Sequence, residues 1–313
     1  MKNNTKTKAK APGKAPGKAI RSVPAAKKSK SVPSGTSRSS VKGAAASPKK
    51  GSKTPSTQND AQWIKGMDLQ AKGDLRSAWK LYQAVLMAEP QHVQALYQMG
   101  IIALQQRDYP MARDLFQNAL QINEQNAKAH KNIGNALLGL SQLDAALVHY
   151  DRALQLDPGF ISAMDNRAIA LTKLKHYDAA LAQLDSILVR VPGFWPAYVQ
   201  QAAIHLLRDE ADLALACYAK AHVLNPSDAR ILNNQAAVHS MLKQFDQAID
   251  LLQQAITLNP KYAEAHNNLA VALLGKGDLR QALKSYDKAL RISPEYADAL
   301  TGRAKLLRTL NQR

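Results

Sequence analysis

The chain has 313 residues, with 42 Lys or Arg against 24 Asp or Glu and a formal charge of +18. Its single cysteine, Cys217, excludes a disulfide framework and a cysteine-ligated metal, and no stretch reaches the ~18 apolar residues that a membrane-spanning helix needs. Fifteen of the basic residues and no acidic one fall in residues 1–58, which leaves 27 basic against 24 acidic in residues 59–313, so the excess charge belongs to one end of the chain.

Residues 1–58 consist largely of Lys, Ala, Ser, Pro and Gly. Such a composition cannot bury enough apolar surface to offset the entropy of ordering, and a disordered basic tail is expected. Ala11-Pro12-Gly13-Lys14 recurs at once as Ala15-Pro16-Gly17-Lys18, which interrupts any amphipathic transit helix, and no apolar run follows Lys2 to make a secretory signal. A soluble, cytoplasmic protein is expected. Lys14, Lys18, Lys27, Lys28, Lys49 and Lys50 are candidates for salt-sensitive, sequence-blind contact with nucleic acid or an anionic membrane, with nucleoid or nuclear association as the consequence. The competing reading is a solvated linker, or a tail for an acidic protein partner. No aromatic residue occurs in this segment, so base stacking cannot contribute. Ser47-Pro48-Lys49-Lys50 resembles the basic tail motifs of linker histones.

From residue 59 the chain repeats. Pro90, Glu124, Pro158, Pro192, Pro226, Pro260 and Pro294 each follow the last by 34 residues. With Pro90 at position 32, seven units lie at 59–92, 93–126, 127–160, 161–194, 195–228, 229–262 and 263–296, and half a unit at 297–313. A fixed period of this length means stacked supersecondary units. Position 8 reads Gly66, Gly100, Gly134, Ala168, Ala202, Ala236, Ala270 and Ala304, and position 20 reads Ala78, Ala112, Ala146, Ala180, Ala214, Ala248 and Ala282. Small residues at fixed places let two helix axes approach. Position 24 is mostly aromatic (Tyr82, Phe116, Tyr150, Tyr218, Tyr286) and fills the wedge beside that approach. Turn signals such as Lys72-Gly73-Asp74 and Lys276-Gly277-Asp278 divide each unit, and the position-32 proline closes its second helix. Each unit therefore reads helix A, turn, helix B.

These residues resemble the signature of the tetratricopeptide repeat (TPR) family, over residues 59–313. The resemblance implies an all-α, right-handed superhelical solenoid that binds other proteins, with helix B outside and helix A inside. Glu124 for proline, Val85 and Ile187 at position 27, and Arg208-Asp209-Glu210 in place of a glycine turn are local departures, each able to re-angle one repeat junction.

In helix A, positions 4, 7, 8 and 11 form the packing stripe, while positions 2, 5, 6 and 9 lie about 200° away and should line the concave groove. Position 6 carries a side-chain amide in six consecutive units: Gln98, Asn132, Asn166, Gln200, Asn234 and Asn268. A carboxamide offers the donor and acceptor that an extended peptide backbone needs. The ladder resembles the asparagine ladder in the TPR region of protein O-linked N-acetylglucosamine transferase, and peptide contact is the expectation. Inheritance through duplication, or bonds between adjacent repeats, is the alternative. A glycosyltransferase-like protein is a further reading, but the repeats leave no room for a sugar-nucleotide domain.

Lys131, Asn135 and Asn166 resemble the first half of the carboxylate clamp of TPR co-chaperones, whereas Pro196 and Gln200 stand where its basic pair belongs. Trp63, Met67, Tyr97 and Ile101 make an apolar groove mouth in the first two units, and the Asn233-Asn234 and Asn267-Asn268 pairs make the far end polar. A partner segment anchored at the first and hydrogen-bonded along the second is the expected ligand. His205 and His239 share position 11, and His130 and His266 share position 4, on the packing stripe and too far apart to share a metal. No phosphate loop, His-Glu zinc motif or nucleophile elbow stands in a confirming context. No catalytic residue, cofactor or metal is expected, and the function implied is a non-enzymatic adaptor. The last helix ends in Lys305, Arg308 and Arg313 and reads as a polar cap that completes the chain.

Overall fold

The structure is a computed structural model that describes residues 57–312. The basic segment, with Lys14, Lys18, Lys27, Lys28, Lys49 and Lys50, lies outside the described residues, and so does the reading of it as disordered.

Fifteen α-helices follow one another, and no strand occurs among the described residues. They pair as α1 (Thr57–Ala71) with α2 (Leu75–Ala88), α3 (Val93–Gln105) with α4 (Tyr109–Ile122), and α5 (Ala127–Gly139) with α6 (Leu143–Leu156). Next come α7 (Ile161–Lys173) with α8 (Tyr177–Arg190), α9 (Trp195–Leu207) with α10 (Ala211–Leu224), and α11 (Ala229–Met241) with α12 (Phe245–Leu258). The series closes with α13 (Ala263–Lys276), α14 (Leu279–Ile292) and α15 (Ala297–Asn311).

One local device makes every hairpin. The first helix of each pair ends in a residue with left-handed backbone: Gly73, Arg107, Ser141, Lys175, Asp209, Lys243 or Gly277, with φ between 59° and 91°. At the first turn the Gly73 amide bonds the Gln70 carbonyl at 3.0 Å, and the Asp74 amide bonds the Leu69 carbonyl at 2.9 Å. The same two bonds recur at all the other turns and consume carbonyls that the helix end would leave orphaned. Asp74, Asp108 and Asp278 then cap the next helix by accepting from the amides of Ser77, Met111 and Gln281. The glycine-free turn at Arg208-Asp209-Glu210 keeps the geometry, with Glu210 tied to Arg208 at 3.0 Å and to His205 at 2.6 Å.

All seven position-20 alanines are fully buried. Tyr82, Phe116 and Tyr150 are fully buried against them, and Leu184 and Leu252 take the same place where the aromatic is absent. Each ring buries ~150–250 Å², which at ~25 cal/mol/Å² is about 5 kcal/mol. Val85 and Ile187, large for position 27, are fully buried too. The apolar interior divides into five clusters along the chain, some of them joined through shared residues such as Trp79, Leu115 and Leu147, as expected of a solenoid that buries each unit against its neighbours.

Successive first helices touch, as α3 does α5, α5 does α7, α11 does α13 and α13 does α15, while successive second helices make at most marginal contact. Stacked hairpins whose first helices crowd together curve towards them. The first helices therefore line the concave face.

Candidate functional site: the concave face

The amides of the ladder hydrogen-bond to the repeat before them; Asn132 is buried and the other five are half-buried. Asn132 Nδ2 donates to Tyr97 Oη at 2.9 Å, Gln200 Nε2 to Asp165 Oδ1, and Asn268 Nδ2 to Asn233 Oδ1 at 2.9 Å. Each bond runs from position 6 of one unit to position 5 of the unit before. Asn166 Nδ2 donates to Asn135 Oδ1 at 2.8 Å, which also accepts from Tyr150 Oη at 2.9 Å. Gln98 accepts from Gln70 at 3.1 Å, and Asn234 hydrogen-bonds Tyr218. Asn132, Asn233 and Asn267 are buried. The ladder acts as a row of inter-repeat staples, each bond spending one donor or acceptor of its amide.

Asn135 and Asn166 meet through their hydrogen bond, and Lys131 lies one turn before Asn135 on α5. The Lys131 ammonium sits over the Phe160 ring at 5.9 Å and has no ion pair among the described residues. Burial, then the charge of Lys128, holds its pKa below the usual lysine range. One unit on, Asp165 is half-buried, and burial raises its carboxyl above the usual value while the bond from Gln200 opposes this.

At the N-terminal end, Trp63 is half-buried, with its ring 5.3 Å from Tyr82 and 5.1 Å from His92. Tyr97 stands edge-on to Phe116 at 5.3 Å, and Ile101 packs against the same cluster. Of these four residues only Met67 is open, together with its neighbour Ile64.

Apolar exposure on this face also lies towards the C-terminus. Met241 is 69% exposed, Leu207 57% and Val271 45%. Ala237, Ser240, Met241, Asn268 and Val271 enclose a hollow of about 330 Å³ between α11 and α13. It adjoins a second, of about 570 Å³, among α13, α14 and α15, which shares Val271. Leu207 and Met241 stand at position 13, beyond the groove stripe of positions 2, 5, 6 and 9. Position 13 lies one turn further along the same helix face, and apolar residues there were the signal.

The histidines lie elsewhere. His205 and His239 bond Glu210 and Gln244, both at 2.6 Å, in their own turns, and His266 bonds the Pro260 carbonyl at 3.2 Å. His130 and His149 meet through their Nδ1 atoms at 3.2 Å, and burial lowers the pKa of both. No group of three or more His, Cys, Asp or Glu able to hold a metal ion occurs among the described residues. Cys217 is half-buried and its thiol is pushed up by burial. Among the described residues no helix is long and apolar enough to cross a membrane.

Fold and groove together define an α-solenoid of helical hairpins, the architecture of protein-interaction scaffolds. Tetratricopeptide repeat family models match residues 65–127, 127–160 and 229–295, and the chain is a tetratricopeptide repeat protein. The unmatched stretch, 161–228, holds Ile187 and the Arg208-Asp209-Glu210 turn, yet its helices keep the same pairing. A tetratricopeptide repeat protein from Parabacteroides merdae superposes with a TM-score of 0.66 at 19% identity, over 80% of this chain and 98% of that one. A chain of the APC/C hetero-tetramer Cut9–Hcn1 gives 0.60 at 18% identity, over 80% of this chain and 46% of that one, so this chain matches less than half of it. The thermophilic TPR protein TTC0263 of Thermus thermophilus gives 0.49 at 26% identity, over 58% and 99%. The first two likenesses concern the fold alone. The comparison with curated proteins finds no match.

Proposed function

We propose that this protein is a non-enzymatic adaptor that holds an extended segment of a partner protein in the concave groove, chiefly over α9, α11, α13 and α15. The observation that carries this reading is the pair of adjoining hollows beside the exposed Met241 and Val271. Exposed apolar surface in a concave, polar-rimmed place is what a binding site needs. Lys131 and the apolar residues Ile64 and Met67 are further contact points for the same segment towards the N-terminal end. The basic segment 1–58 serves as a tether in the cytoplasm and adds weak polyanion contact, so that two modest contacts on one chain reinforce each other.

Because the amides hold repeats together, substituting them would confuse loosening with loss of contact. Met241→Asp is the cleaner probe. Random peptides displayed on phage and panned on the full chain should yield a consensus whose synthetic peptides bind the wild type and lose about tenfold or more on Met241→Asp, at unchanged melting temperature. No enrichment, or equal binding to both proteins, would sink the reading.

A further inference from the structure

The staples from position 6 to position 5 follow a fixed step of 35 residues: 132 to 97, 200 to 165 and 268 to 233. The step is taken in alternate units, since Asn166 bonds Asn135 and Asn234 bonds Tyr218 instead; in the last half-unit the same step would run from residue 302 to Asn267. Residue 302 is glycine, and a Cβ there would stand 2.5 Å from Cζ and Oη of Tyr286, so no side chain occupies the place. Asn267 is 6% exposed and its Oδ1 is buried without a hydrogen-bond partner, while its Nδ2 donates to Asn268 Oδ1 at 3.3 Å. A buried acceptor left unpaired costs free energy with no return within the chain.

Beside Asn267 the molecule is hollow. The space of about 570 Å³ is walled by Val271, Leu274, Tyr286 and Leu306, with Asn267 in its lining. Asp298 and Lys305 also line it, so its formal charge is nil and neither a cation nor an anion is favoured. Lys305 makes no ion pair among the described residues and leaves a donor for a carbonyl oxygen. The pocket thus presents apolar walls, acceptors at Asn267 and Asp298, a donor at Lys305 and the hydroxyls of Thr301 and Thr309. A neutral carboxamide on a methylene stem, donor and acceptor at once, suits such a mixed lining. Asn267 Oδ1 meets such a ligand after a turn about its terminal torsion, which is broad and soft.

We infer that the hollow is a specificity pocket for an Asn or Gln side chain of the partner segment, whose NH₂ donates to Asn267 Oδ1 and supplies the missing staple. This rests on the groove-binding reading above. Peptides enriched on the full chain are the probes, and each is remade with its Asn or Gln replaced by Leu, by the isosteric acid, and by Lys. Wild type should lose about tenfold or more for each replacement, because an unpaired buried acceptor discriminates strongly. Asn267→Leu should bind the parent peptides more weakly, discriminate less than about twofold among the replacements, and melt no lower than wild type, since it removes an unsatisfied polar atom. A consensus without a fixed Asn or Gln overturns the inference. So does a preference for Lys at that place, or discrimination that survives in Asn267→Leu. If peptides bind and are lost on Met241→Asp but carry no carboxamide, only this inference falls. If none binds at all, the groove reading falls with it.

Discussion

At residue 134 a single methyl group is enough to disturb the stacking. A Cβ added to Gly134 would lie 2.5 Å from Cε1 of Tyr150, whose ring is fully buried and whose hydroxyl is held by Asn135. The buried ring must give way for the methyl, so overpacking outweighs the better helix propensity of alanine unless Tyr150 takes up the packing that Tyr218 and Tyr286 have beside Ala202 and Ala270. Gly134→Ala should lower stability by about 1–3 kcal/mol in urea unfolding, and an unchanged or raised midpoint would mean that Tyr150 moves freely. Asp165 offers a second test at this scale. Burial holds its carboxyl above the ordinary value of 3.8, so the folded state carries a desolvation penalty whenever the group is charged. Asp165→Asn keeps an oxygen for Gln200 and removes the charge. It should melt higher than wild type near neutral pH, and the gain should shrink as pH falls through the raised pKa and vanish below 3.8. A gain that is independent of pH would show that the charge is not its cause.

At the scale of the element, the seven turns share one left-handed residue, yet only Gly73 and Gly277 adopt that backbone without strain. Ser141 and Lys243, both at φ 59°, carry a Cβ in a conformation that costs roughly 1 kcal/mol. Ser141→Gly and Lys243→Gly should each stabilise by about 0.5–1 kcal/mol, a little less than the strain because glycine gains freedom in the unfolded chain. Destabilisation of the size usual for glycine inside a helix would show that the side chains at these turns contribute contacts of their own. The glycine signal visible in the sequence at Lys72-Gly73-Asp74 was thus one instance of a turn that the backbone makes at every unit. Its hydrogen bonds are main-chain bonds, so Arg107, Lys175 and Asp209 can make them without announcing it.

Over the whole solenoid, apolar contacts are local and pass from cluster to cluster, without a central core. Among the described residues the terminal helices α1 and α15 pack against neighbours on one side only, whereas α7 to α10 are flanked on both. Native-state amide exchange should therefore show protection rising from both ends towards the middle, as in a one-dimensional array with nearest-neighbour coupling. Uniform protection along the helices would instead indicate a single cooperative unit.

The sequence by itself determined the architecture, because a 34-residue spacing of small residues, aromatics and prolines admits only one way of stacking hairpins. Gly134 against Tyr150 and Ala78 against Tyr82 were legible as pairs since each lies within one unit. Relations between units were not legible in the same way. Asn132 reaching back to Tyr97, or Asn268 to Asn233, depends on how far one hairpin is rotated against the next, and no spacing along the chain encodes that angle. Only the tertiary structure decided that the amides bond from repeat to repeat, that Trp63 packs onto Tyr82 and His92, and that open apolar surface lies at Leu207, Met241 and Val271 as well as at Ile64 and Met67. Helical periodicity assigns a residue to a face, while its exposure is set by the neighbour that stacks upon it.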